Sequence, residues 1–236
     1  MLTILIPTFN ESENISKIVI SLNKFEKLKK IDFNIFFIDD NSNDGSKEEL
    51  LEISKKYNNV KYKIRKNKIR DLTKSVLDAL EFIDSKYICL MDCDLQHNFE
   101  LIPKMMDRIF DNKIDLIIAS RYANNNYINK LSFYRLFISK LGGLFIKLIG
   151  INNVRDPLSG FFIIDYNILQ SISSSIKTDG FKILLTILYL IKNKNLNIAE
   201  IESNFYSRKI GKSKFNLIIG LKFIKQIFHL SIYNNN

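Results

Sequence analysis

Five short apolar runs in the first 120 residues each end in a polar cluster, and after four of them a helical pattern begins. That alternation is the tightest constraint in the sequence. Strands separated by helices pair in parallel, with the helices crossing back over the faces of the sheet. The runs are "LTILIPTF" (2–9), "FNIFFIDD" (33–40), "VKYKIR" (60–65), "KYICLMD" (86–92) and "IDLIIAS" (114–120). Helical spacing fills the gaps to about Lys30, over 46–57, over 72–83 and over 99–110, the last tolerating Pro103 only near its start. Asn10 with Glu13, and Ser46 with Glu49, have the spacing of capping boxes. The expectation is an α/β chain with a mostly parallel sheet and helices on both faces.

Beyond Arg121 the texture changes. A polar stretch, "YANNNYINK", precedes an apolar helix over 131–150 that carries Arg135, Lys140 and Lys147. "SGFFIID" (159–165) and "LNIAEIES" (196–203) read as strands, 180–192 as a buried helix and 214–233 as an amphipathic one. One domain is the simplest division: residues 1–214 as the sheet-bearing unit, with 215–236 as a helix and tail packed on it or on a membrane surface.

The net charge of +10 admits nucleic acid, an anionic membrane surface or phosphorylated small molecules as partners. The two cysteines, Cys89 and Cys93, fall on or beside one strand, which argues for thiols in a reducing compartment. No stretch reads as a signal peptide or a transmembrane helix. A zinc site from Cys89, Cys93, His97 and His229 is disfavoured, since Cys89 belongs to the core and Cys93 stands between two aspartates.

In an open parallel sheet, ligands bind beyond the carboxyl ends of the strands. Here those ends carry Pro7-Thr8-Phe9-Asn10-Glu11, Asp39-Asp40, Asp92-Cys93-Asp94 with Gln96, and Ser120-Arg121-Tyr122. In extended backbone Asp92 and Asp94 would share one side, about 6–7 Å apart. Two carboxylates so close repel unless a cation lies between them, and hard oxygen ligands suit Mg²⁺ or Mn²⁺ shared with a diphosphate. A lone D-x-D is more often a solvated loop. The apolar strand before it and the matching signals at the other strand ends reverse that expectation. They also argue against a nucleic-acid-binding protein, because strand-end aspartates would repel a phosphate backbone.

The ordered set "IPTFNESENI", "FFIDDNSNDGS", "RDLTKSVLDAL", "MDCDLQHNFELIPKM", "IIASRY", "YRLFIS", "VRDPLSGFF" and "RKIGKSKF" resembles the family 2 glycosyltransferases of GT-A fold. Within them it is similar to the dolichol-phosphate mannosyltransferase and polyprenyl-phosphate glycosyltransferase type. The resemblance implies that Pro7, Thr8, Phe9, Glu11, Asp39, Asp40 and Asp92 hold the nucleotide, with Phe9 offering a face to the base. It implies that Asp92, Asp94 and Gln96 hold the metal and diphosphate. Arg121, Arg135 and Ser139 would meet the acceptor phosphate, the latter two one helical turn apart. Arg208, Lys212, Ser213 and Lys214 would form a loop over the diphosphate. Asp94, Arg121 and Arg208 are the expected catalytic groups, and Asp156 an organiser of the site or a turn residue. The chain departs from the resemblance in lacking a glycine-rich third motif, in Thr186 where many relatives have Glu, and in the absence of their C-terminal transmembrane helices.

Transfer from a nucleotide sugar requires the leaving diphosphate to be neutralised, and a divalent ion with arginines does this. A hydroxyl acceptor also requires a general base; a phosphate, already an anion, does not. Hydroxyl-accepting relatives carry an acidic pair at the start of a late helix, where this chain has Gly180-Phe181-Lys182 with only Asp179 nearby. The resemblance therefore implies inverting transfer from GDP-mannose or UDP-glucose to a dolichyl or undecaprenyl phosphate, on the cytoplasmic face of a membrane. The helices 131–150 and 215–233 would lie in the interface, with a membrane partner subunit a further expectation. The alternative is a family 2 transferase acting on a sugar hydroxyl in surface polysaccharide synthesis, with Asp179 or Asp156 as base.

Overall fold

The computed structural model describes residues 1–25, 28, 30–66, 70–122, 149–176 and 182–203. Its strands are β1 (Leu2–Thr8), β2 (Phe33–Asp39), β3 (Val60–Ile64), β4 (Tyr87–Leu90), β5 (Leu116–Ser120), β6 (Phe162–Asp165) and β7 (Ile198–Glu202). Among the described residues the α-helices are α1 (Ser12–Lys24), α2 (Ser46–Lys56), α3 (Leu72–Ala79), α4 (Ile102–Asn112), α5 (Tyr166–Ser173) and α6 (Ile183–Ile191). None is long and apolar enough to cross a membrane. Of the helices expected over 131–150 and 214–233, only residues 149 and 150 are described, and they form a turn; the rest lies outside the described residues.

The strands form one sheet in the order β3-β2-β1-β4-β6-β5-β7. All pairs are parallel except those of β6, which runs antiparallel between β4 and β5. Period-two alternation divides the apolar residues between two layers. Leu2, Ile4 and Ile6 of β1 join Phe33, Ile35 and Phe37 of β2 in one layer, with the apolar residues of α1, α2 and α4. Leu5, Phe36, Ile38, Ile88 and Ile118 face the other way, onto α3, α5 and α6. On α6 every residue but Leu190 is buried, so it reads as a continuous apolar run.

Several boundaries differ from the sequence expectation. The first helix stops at Lys24 rather than Lys30. The strand expected over 86–92 ends at Leu90, and the one expected over 159–165 begins at Phe162. The helix expected over 99–110 opens with a 3₁₀ turn, Phe99–Leu101, and Pro103 sits in the first turn of α4, where its missing N–H costs nothing.

Neither capping box forms. Glu11, not Asn10, occupies the N-cap of α1 and makes no side-chain cap; Gly45 at φ 95° precedes α2. The polar groups of the two loops pair with each other instead. Ser42 Oγ accepts the Asn10 amide at 2.8 Å, and Ser46 Oγ accepts that of Glu11 at 3.0 Å. Asp44 accepts the Ser12 amide at 3.1 Å through one oxygen and the Ser46 amide at 3.1 Å through the other, serving the starts of both helices.

Candidate active site

The ladder between β1 and β4 stops at Leu5–Leu90, whereas that between β1 and β2 continues to Thr8–Asp39. The chain after β1 builds to one side, through β2 and β3, and β4 builds to the other. This is the switch point at which an open sheet leaves a crevice. Pro7 is tolerated there because its missing N–H falls beyond the β4 ladder. The sequence-predicted groups on β1, β2, β4 and β5 all stand at this edge.

On the β2 side, Asp39 is fully buried and accepts the Ser42 amide at 2.8 Å and the Ser42 hydroxyl at 2.5 Å. Burial raises its pKa, and the Ser42 hydrogen bonds oppose the rise. Asp40 pairs with Arg65 through one oxygen and accepts the Asp71 amide at 2.9 Å through the other. Arg65 also donates to Asp78 at 2.8 Å and Ser75 at 3.0 Å. Thr8 is buried and its carbonyl accepts the Asp40 amide at 2.8 Å. The Phe9 ring, expected to face a base, has the Arg70 guanidinium 4.0 Å from its centroid. Glu11 accepts from the Asn14 side chain at 2.7 Å.

On the β4 side, the two aspartates do not share an extended strand. Met91 onward leaves the sheet, and Leu95 at φ 59° turns the chain back, so that Asp94 accepts the Gln96 amide at 3.1 Å. Asp94 is buried, but the Asp92 side chain is 49% exposed and meets His97 at 3.1 Å. His97, for which the sequence offers no partner, is 6% exposed and packs on Phe161, ring centroids 5.2 Å apart. Gly160 closes the back of this pair: a Cβ there would stand 3.0 Å from Asp92 Oδ2 and 3.4 Å from His97 Nε2.

Arg121 follows β5. Asp156, 0% exposed, accepts its amide at 2.9 Å, its Nε at 2.8 Å and its Nη2 at 2.7 Å. The sequence left Asp156 between organiser and turn; it holds Arg121 in a forked pair. Lys182, just before α6, lies within the fields of Asp92, Asp156, Asp94 and Arg121. Burial lowers its pKa, the three carboxylates push back, and Arg121 adds to the lowering. Nothing in the sequence alone distinguishes Lys182 from a surface lysine, since the residues around it come from three other loops. Thr186, one turn further along α6, is buried. Arg135, Ser139, Asp179, Arg208, Lys212, Ser213 and Lys214 lie outside the described residues.

Among the described residues no three His, Cys, Asp or Glu side chains cluster as a complete metal cage. Two carboxylates at one strand end nevertheless fit Mg²⁺ or Mn²⁺, which take one or two protein carboxylates and complete their shell with substrate phosphates and water. Cys89 and Cys93 are buried free thiols, and burial pushes that of Cys89 far up, which makes it a poor metal ligand.

The fold is that of known glycosyltransferases. Mannosyl-3-phosphoglycerate synthase from Rubrobacter xylanophilus superimposes with a TM-score of 0.69, covering 100% of this chain and 74% of the other at 10% identity. Glucosyl-3-phosphoglycerate synthase from Mycobacterium tuberculosis, solved with Mn²⁺, uridine diphosphate and phosphoglyceric acid, gives 0.68, covering 99% and 78% at 14% identity. At these identities the likeness speaks for the GT-A fold. Sequence relatives lie nearer. A dolichol-phosphate mannosyltransferase of Pyrococcus furiosus is 32% identical over 97% of this chain, which spans 63% of that protein's length. One from Saccharomyces cerevisiae is 30% identical over 98% of this chain and 87% of its own. The family described as "Glycosyl transferase family 2" matches residues 3–173, and the chain belongs to that family.

Proposed function

We propose that the chain transfers a hexose, mannose or glucose, from a nucleotide-diphosphate sugar to the phosphate of a polyprenyl phosphate. The observation that carries the reading is Lys182. Among the described residues a lysine, not a carboxylate, stands just before α6, within the fields of the β4 aspartates and Arg121. Such a site suits an acceptor that brings its own negative charge. Of the two alternative bases for a hydroxyl acceptor, Asp179 lies outside the described residues, and Asp156 is sealed and engaged by three Arg121 donors. The similarity to two dolichol-phosphate mannosyltransferases supports the same acceptor.

In this reading an acceptor phosphate oxygen attacks the anomeric carbon from the face opposite the diphosphate. The carbon–oxygen bond to the diphosphate breaks, its electrons stay with the leaving group, and configuration inverts. Asp92 and Asp94, with Gln96, would hold Mg²⁺ or Mn²⁺, which neutralises the leaving diphosphate when bound. Arg121 and Lys182 attract the acceptor phosphate, with Arg135 and Ser139 on the same ligand. Arg208, Lys212, Ser213 and Lys214 close over the diphosphate. Pro7, Thr8, Phe9, Glu11, Asp39 and Asp40 form the nucleoside side.

The lipid tail keeps the acceptor at a bilayer, so the enzyme works on the cytoplasmic, anionic surface of a membrane. The cation-studded apolar stretches 131–150 and 215–233 suit the interface plane. A membrane subunit would add to that anchoring. The test is transfer of label from a panel of nucleotide sugars to a polyprenyl phosphate with Mg²⁺ or Mn²⁺. Label enters the organic phase from one donor, and Asp94→Ala lowers the rate by ~10³-fold. Label that remains aqueous with every donor, from protein that still binds one, overturns the lipid acceptor.

A further inference from the structure

Glu200 has no obvious place in a strand. In "IAEIE", period two sends Ala199 and Ile201 to one core layer and Glu200 to the other face, beside Ile118 of β5. A carboxylate on the half-buried face of a sheet is costly unless its oxygens are hydrogen-bonded. Here both are. Oε2 accepts the Arg155 amide at 2.8 Å and Oε1 the Asp156 amide at 2.9 Å. Two consecutive backbone N–H groups thus converge on one side chain from an edge strand 44 residues away.

The next link is the Asp156 carboxylate, which takes the Arg121 amide, Nε and Nη2. Asp156 turns away from solvent completely, and the Ser159 amide closes the turn onto its carbonyl at 3.2 Å. Arg121 therefore presents to Asp156 the edge made of Nε and Nη2, and its Nη1 edge points away from that carboxylate. The side chain is 20% exposed. A rotation of the 155–156 peptide would swing the Asp156 carboxylate and the guanidinium with it; Glu200 holds that peptide through the Asp156 amide and the preceding peptide through the Arg155 amide, and so opposes the rotation.

We propose that Glu200 is a positioning residue. By clamping the Arg155 and Asp156 amides it sets the Asp156 carboxylate, and through it the plane in which Arg121 meets phosphate. The inference rests on the reading of Arg121 as a phosphate ligand. Glutamine at 200 keeps one acceptor and turns an amide N–H₂ against the other backbone N–H, so Glu200→Gln disturbs the clamp at nearly constant volume.

The experiment is a double-mutant cycle with Arg121→Lys, read as kcat/KM for the polyprenyl phosphate. Alone, Glu200→Gln lowers it ~10- to 100-fold, the cost of a mis-set catalytic group. In the Arg121→Lys background, where no planar fork remains to orient, Glu200→Gln adds less than ~2-fold. Losses that multiply overturn the relay, because Glu200 then acts by another route. Glu200→Asp serves in the same cycle if the glutamine variant does not fold. A second readout needs no turnover: proton exchange at Arg121 Nε, followed by NMR, is slow in the native chain and speeds up in Glu200→Gln. Unchanged exchange overturns the relay. Absence of transfer by the native chain, with exchange altered as expected, removes the acceptor reading and leaves the relay standing.

Discussion

Two arginine–aspartate pairs stand at the ligand edge of the sheet, and they are built to opposite ends. In Arg65–Asp40 both side chains are sealed, 2% and 6% exposed, and Asp78 and Ser75 take further guanidinium donors. In Arg121–Asp156 only the carboxylate is sealed, while the arginine keeps a face to solvent. A fully buried pair spends its Coulomb energy on its own desolvation and adds rigidity more than reactivity. A half-buried pair holds a cation in place and leaves part of its field for a ligand. The β1–β3 half of the edge is thus locked by interior hydrogen bonds. The β4–β7 half brings Asp92, Lys182 and Arg121 into one another's fields.

Exchanging each arginine for lysine, which keeps the charge and removes the fork, breaks the comparison if it is wrong. Arg121→Lys should lower transfer by ~10²-fold, with the melting temperature moving by less than about 2 °C. Arg65→Lys should do the reverse: a loss of about 2 kcal/mol, or roughly 6 °C in a chain of this size, with transfer at 25 °C within ~3-fold of native. Equal effects of both substitutions on turnover would erase the distinction. Gly160→Ala sharpens it on the β4 side. The added methyl meets Asp92 Oδ2 at 3.0 Å, so the Asp92–His97 pair must shift. Metal titrations should show ~10-fold weaker activation, with little change in thermal stability.

The smallest effect belongs to the interlocked loops. Asp44→Ala should cost about 1 kcal/mol, the worth of a helix cap, and leave kinetics unchanged. Burial alone would raise the Asp44 carboxyl, but hydrogen bonds from Ser46 and Ser12 bring it below its ordinary value. A carboxylate with a lowered folded pKa stabilises above about pH 4 and loses that contribution as pH falls through the lowered value. The difference in melting temperature between Asp44→Ala and the native chain should therefore shrink on acidification below pH ~4.

The strand ends were legible because period-two apolar runs and the carboxylates after them are local signals. Asp39, Asp92 and Arg121 could be placed at one edge from the strand–helix alternation alone, because that alternation already implies a parallel sheet. Glu200, Arg65 and Lys182 were not legible, since each acquires its role from residues on other elements. The partner of His97 depends on one left-handed residue, Leu95, just beyond a strand that ends two residues sooner than the apolar run over 86–92 suggests. The capping boxes failed for a related reason. Asn10 sits at φ 52°, not in the extended backbone of an N-cap, and its amide meets Ser42 across 32 positions of sequence. Local capping rules assume that no better partner is brought in from afar, and here the neighbouring loop supplies one.

The reversed strand β6 has a consequence for how such a protein can change over generations. Because β6 runs against β4 and β5, the chain departs after Ser120 and re-enters at Phe162 on the same rim, between hydrogen-bonded neighbours. The two ends of that excursion are held together whatever lies between them. Lengthening it costs only closure entropy, about 0.6 kcal/mol for each doubling. Sequence can thus be traded in that span while the described strands keep their register. The loops after β1 and β2, which cap one another, have no such freedom.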